Sequence, residues 1–112
     1  MAGGLGPVRQ YQLTLDGSAQ QLTDAITGNE SGDSWNGDPL CEIDLQADDG
    51  NSNPIFVGGD AGVTAASHGV RIPAPASGVP SPPYRLPGKR NPSSVWVIGT
   101  SAEKLNVLLN IV

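Results

Sequence analysis

His68 is the single histidine of the 112-residue chain, and it follows Ser67 directly. A serine nucleophile needs a base within hydrogen-bond reach, and that base needs an orienting group of its own. Neighbours in an extended strand point to opposite faces, so Ser67 and His68 cannot act on each other there. His68 is therefore read as structural. The run Asp48-Asp49-Gly50-Asn51-Ser52-Asn53 is rich in oxygen like a calcium loop, yet it lacks the spacing and the closing bidentate Glu of an EF-hand. It reads as a turn, the geometry that selects Asp, Gly and Asn in any case. Glu30, Asp33 and Asp38 read as a solvated loop, because nothing fixes three carboxylates at ligand distance. Gly58-Gly59-Asp60-Ala61-Gly62 has no following Lys-Ser/Thr and no helix to lend its dipole, so it is a turn or bulge and not a phosphate loop. Lys89-Arg90 is too small a cluster for a polyanion. Cys41 stands alone, which excludes an intramolecular disulfide and a cysteine-based zinc cluster. The expectation is a protein that is not an enzyme and has no catalytic residue, cofactor or metal.

The elements that would position these residues are strands. Fifteen Gly and ten Pro argue against long helices and for strands joined by many turns. The net charge of −5 repels phosphate backbones and argues against nucleic acid. No apolar run reaches membrane-spanning length, and the first residues have no basic and apolar leader, which predicts a soluble protein made in the cytoplasm.

Residues 1–7 hold little to bury and are expected to form a flexible arm, with residues 8–112 as one β domain. Tyr11, Leu13 and Leu15 alternate with polar residues as a half-buried strand. Asp16-Gly17 then predicts a hairpin turn into a weaker strand carrying Leu22, Asp24 and Ile26. Thr27 to Pro39 reads as a long surface loop anchored by Trp35. Leu40 to Ala47 has the cleanest alternation, with Cys41, Ile43, Leu45 and Ala47 inward. Ile55-Phe56-Val57 suggests a strand covered on both faces, and Val63 to Ile72 resumes extended structure with Gly69 as a close-approach point. Seven prolines between Pro73 and Pro92 keep that segment out of any central strand, with Tyr84 tacking it down. Ser94 to Gly99 and Lys104 to Val112 are read as a closing hairpin through Thr100 to Glu103. Without crossover helices the fold class is all-β, an antiparallel β-sandwich or jelly roll with long Gly/Pro-rich loops.

Four segments in order, YQLTLDGSAQQLTDAI (11–26), LCEIDLQADDGNSNPIFVGG (40–59), VTAASHGVRIPA (63–74) and SVWVIGTSAEKLNVLLNIV (94–112), resemble a pattern of small tailed-bacteriophage virion proteins. In those proteins a strand, turn and strand lead to IxIQAxxxNxxPIFVG and a late VWVIGTxxxxVNVL hairpin. The resemblance implies a structural virion protein on the outer capsid surface, of the capsid decoration (cement) type. It also admits a head-tail neck, tail or head-fibre component. The Thr27–Pro39 loop and the proline-rich stretch 75–92 depart from the pattern.

The partners so implied are the major capsid protein or other virion proteins, with a homotrimer as the assembly. Met1, Leu5 and Pro7 of the arm, Trp35, and Val95, Val97, Leu108 and Val112 of the last two strands are the candidate subunit or capsid contacts. A carbohydrate-binding β-sandwich module is the competing reading. It would use coplanar exposed aromatics, and five Phe, Trp and Tyr residues, some of them needed in the core, leave few for such a platform.

Overall fold

The computed structural model describes residues 8–28, 38–76 and 79–112. In chain order these hold β1 (Val8–Thr14), β2 (Gln20–Gln21), a one-turn helix α1 (Leu22–Thr27), β3 (Cys41–Ala47) and β4 (Ile55–Gly58). There follow β5 (Val70–Ile72), β6 (Tyr84–Arg85), a 3₁₀ turn (Pro92–Ser94), β7 (Trp96–Ile98) and β8 (Lys104–Ile111). The strands form two antiparallel sheets, β1-β8-β3-β6 and β2-β7-β4-β5. Every step along the chain crosses from one sheet to the other except β4 to β5. This alternation of eight strands is the jelly-roll form of the β-sandwich.

The crossings overturn both expected hairpins. β1 pairs with β8 and not with the strand after Asp16-Gly17, while β7 and β8 lie in different sheets. Thr100 to Glu103 is a bridge between the sheets, bonded to Leu15 through Leu15 N–H to Glu103 O (2.8 Å) and Ala102 N–H to Leu15 O (2.8 Å). The expected strand at 22–26 is helix α1. Strand parity would have carried Asp24 inward with Leu22 and Ile26. One helical turn puts Leu22 and Ile26 on the core face at i, i+4 and leaves Asp24 exposed. Extended structure is likewise confined to β5, because residues 63–69 form turns.

The alternation read in β3 holds: Cys41, Ile43, Leu45 and Ala47 are fully buried. Opposite them Leu105, Val107 and Leu109 of β8 and Tyr11 and Leu13 of β1 complete the first sheet's inner face, which packs on Ile55, Val57, Ile72 and Val97 of the second. The outer side of β4 is covered by the following loop: Val63 sits where a Cβ on Gly58 would fall, and His68 lies over the Phe56 ring with centroids 4.7 Å apart.

Prolines border the short edge strands β5 and β6. Pro73 and Pro75 follow β5, and Pro82, Pro83 and Pro87 flank β6, so each edge is poor in backbone donors. Tyr84 and Leu86 pin the proline-rich segment to the core.

Candidate functional site: the outer face of the first sheet

Alternation also fixes what the first sheet shows to the outside. By register, Gln12 (β1), Asn106 (β8) and Gln46 (β3) form one row across three adjacent strands. Gln10, Leu108, Asp44 and Arg85 form the next row, and Val8, Asn110 and Glu42 the one beyond. Between the first two rows and Pro83 runs an open groove of about 680 Å³.

The groove's polar groups are held in place. Gln12 Nε2 donates to Asp48 Oδ1 (3.2 Å) and to Asn106 Oδ1 (3.1 Å), and Gln46 Nε2 donates to the Ser81 carbonyl (2.7 Å), tying the proline-rich segment to the rim. Arg85 grips Asp44 through both carboxylate oxygens, at 2.7 and 2.9 Å. Those hydrogen bonds hold the Asp44 carboxyl below its ordinary pKa, and Arg85 is raised in return.

One end of this face carries several apolar side chains around the Asn110–Glu42 pair. Val8, Leu40, Leu108 and Val112 are four of the five exposed large hydrophobics among the described residues, and register puts all four on the outward parity of β1, β3 and β8. Val112 N–H bonds Leu40 O at 3.1 Å, continuing the β3–β8 ladder to the chain's last residue.

The structure sorts the expected contact residues. Leu108 (40% exposed) and Val112 (57%) lie on this outer face. Val95 (4%) and Val97 (0%) do not: both are packed in the chain's own core, and their neighbours Trp96 and Ile98 point outward, half-buried. The reason is the parity of β7, whose inward Val97 pairs with inward Val57. Met1, Leu5, Pro7 and Trp35 lie outside the described residues. Val8 and Leu40 were missed, although each shares the parity of the outward polar residues that follow it in its strand.

The motifs weighed for catalysis are spent on the fold. Asp60, Ser67 and His68 border one small concavity of about 170 Å³. No hydrogen bond links them: Asp60 accepts from Gly62 N–H (2.8 Å), and His68 Nδ1 lies 3.1 Å from the Thr64 carbonyl.

The calcium-like run is a lock between strands. Asn51 is buried, and its side chain donates to Lys104 O (2.7 Å) and accepts from Lys104 N–H (2.9 Å), imitating a strand partner. Glu103 accepts the backbone N–H groups of Ser52 (2.7 Å) and Asn53 (3.2 Å). Among the described residues no group of three or more His, Cys, Asp or Glu is placed to hold a metal.

Asp38, from the second acidic stretch, accepts from Ser93 Oγ, Ser93 N–H and Thr23 Oγ1. Burial alone would raise its pKa, and these bonds outweigh it to leave the carboxyl below its ordinary range. Burial pushes the Cys41 thiol up, and the charge of Asp38 adds to the rise, so the thiol is not poised as a nucleophile. No helix among the described residues is long and apolar enough to cross a membrane.

Searches against protein-family models, curated proteins and solved structures each return no match.

Proposed function

We propose that this chain is a structural protein of a larger protein shell, a decoration protein of a phage head, and that it docks through the apolar end of the first sheet's outer face. The observation that carries the reading is the gathering of Val8, Leu40, Leu108 and Val112 on one side of one sheet. Register sets the four around the hydrogen-bonded Asn110–Glu42 pair, and several exposed apolar side chains on one face of one sheet are what a contact surface presents. Two further features support it. Among the described residues Asp60 and Asp38 accept hydrogen bonds from loop backbone and Asp44 pairs with Arg85, so these carboxylates are held by the fold. The jelly roll is an architecture used by capsid proteins, although fold alone fixes no function.

A closed three-fold oligomer would present one such patch to each neighbouring capsomer, and joined weak contacts raise avidity by ~10²–10⁴. The test is the solution mass of the purified protein, followed by co-sedimentation with capsids stripped of accessory proteins. A trimer that sediments with capsids, and a Val112→Asp variant that folds but binds at least about tenfold more weakly, are the expected results. A monomer that ignores capsids, or a variant that decorates them as tightly as the parent, overturns the reading.

A further inference from the structure

We infer that the groove adjoining the apolar patch, with which it shares Leu108, is a binding site for neutral saccharides. The inference does not depend on the docking role. Three carboxamides, Gln12, Asn106 and Gln46, stand in one row across neighbouring strands, spaced by the roughly 4.8 Å strand separation. Their NH₂ groups are committed to protein acceptors, namely Asp48 and Asn106 Oδ1 for Gln12, the Ser81 carbonyl for Gln46, and Asp48 for Asn106 at 3.4 Å. The amides are thus oriented before any ligand arrives, which lowers the ordering cost of binding. Among the described residues, the Oε1 atoms of Gln12 and Gln46 take no protein hydrogen bond, so the row offers acceptors to a ligand rich in hydroxyl donors.

Charge narrows the class further. Asp44 is neutralised by the two-pronged Arg85 contact, and Asp48 Oδ1 accepts from two of the amides. Among the residues that line the groove there is no Lys or Arg to hold an anion, Lys104 lies one row further along β8, and a chain of net charge −5 repels anions as a whole. Leu108 on the floor and Pro83 on the wall give the apolar surface that the C–H face of a sugar ring needs. The open space over these side chains, about 680 Å³, leaves the row accessible to a ligand lying along the sheet. An open groove without an aromatic platform implies millimolar affinity.

The experiment is an NMR titration of the whole labelled chain with maltotriose, cellotriose and triacetylchitotriose, each up to about 20 mM, where millimolar constants saturate. The expected result is saturable movement of the Gln12, Gln46 and Asn106 side-chain NH₂ signals with at least one sugar, unchanged by added salt. Asn106→Ala and Gln46→Leu should each weaken it at least about tenfold, while Val112→Asp leaves it intact. Core methyl signals report whether each variant is folded, and if Asn106→Ala is not, Gln46→Leu decides. The inference is overturned if none of the three sugars moves these signals saturably. It is equally overturned if folded Gln46→Leu binds like the parent, or if the movement disappears with salt.

Discussion

The two sheets face the same core but solve different packing problems. The first is made largely of strands seven or eight residues long whose inward side chains fill the space evenly, and its outward side is a regular grid. The second is made of strands two to four residues long, and it is closed by near-contacts of backbone and side chain where a larger residue would not fit. The regular sheet therefore offers a surface on which a partner or ligand can be read row by row. The short one spends part of its outer face on covering itself with the 59–69 loop. Removing atoms should harm the first sheet most, and adding atoms should harm the second.

The largest effect is expected from Leu45→Ala in β3. Leu45 is fully buried at the centre of the first sheet, between Val107 of β8 and Tyr84 of β6 in register. Truncation should cost about 2–5 kcal/mol, read as a lowered urea midpoint with unchanged slope. A loss below about 1 kcal/mol would mean that the long strands collapse onto the cavity and that the contrast between the sheets is wrong.

The matching test of the second sheet is Gly99→Ala, directly after β7. A Cβ there would come within 2.5 Å of Leu15 Cδ1 and 3.4 Å of Ile55 Cγ1. Leu15 is itself buried, so it cannot swing away without disturbing the core, and overpacking should cost about 1–3 kcal/mol. Gly99→Ala combined with Leu15→Ala should lose less than the sum of the single changes, because the smaller side chain removes the clash. Strict additivity would show that the close approach is not what selects glycine.

The same contrast decides what was legible in the sequence. Period-two patterns at 41–47 and 105–109 named the inward residues of the first sheet correctly, because a long strand with one wet face writes its parity into residue type. By the same rule the outward row of Gln12, Gln46 and Asn106 was present in the sequence, but only the order β1-β8-β3 brings it together. β7 has three residues, too few for a pattern, and the apolar Trp96 and Ile98 on its outer side made either parity plausible. The sequence alone therefore leaves Val95 and Val97 open to the outward face that the fold denies them. Helix α1 is ambiguous in the sequence because Leu22 and Ile26, four apart, satisfy strand and helix periods alike. The burial of Asp24 that a strand would have required was the available signal against it. Both false hairpins came from treating strands adjacent in sequence as adjacent in space, which this topology satisfies only at β4–β5.

The smallest effect is expected on the grid itself, at the Asp44–Arg85 pair between β3 and β6. The side chains are 22% and 59% exposed, so solvent screens the pair strongly and its share of stability is minor. Its sign with pH is nevertheless fixed. Hydrogen bonding to Arg85 lowers the Asp44 pKa in the folded protein below the ordinary 3.8. Between those two values the unfolded chain binds more protons than the folded one, so stability rises with pH there. The pair's contribution is complete above 3.8 and is lost as pH falls through the lower folded value. Arg85→Met should therefore lower the urea midpoint slightly at neutral pH, and the gap to the parent should close on acidification below 3.8. The experiment also bears on the groove, since Arg85 keeps Asp44 neutralised beside the amide row. If the gap between parent and variant persists in acid, the guanidinium matters for packing over β3 and not for its charge. The neutral character assigned to the groove would then need another source.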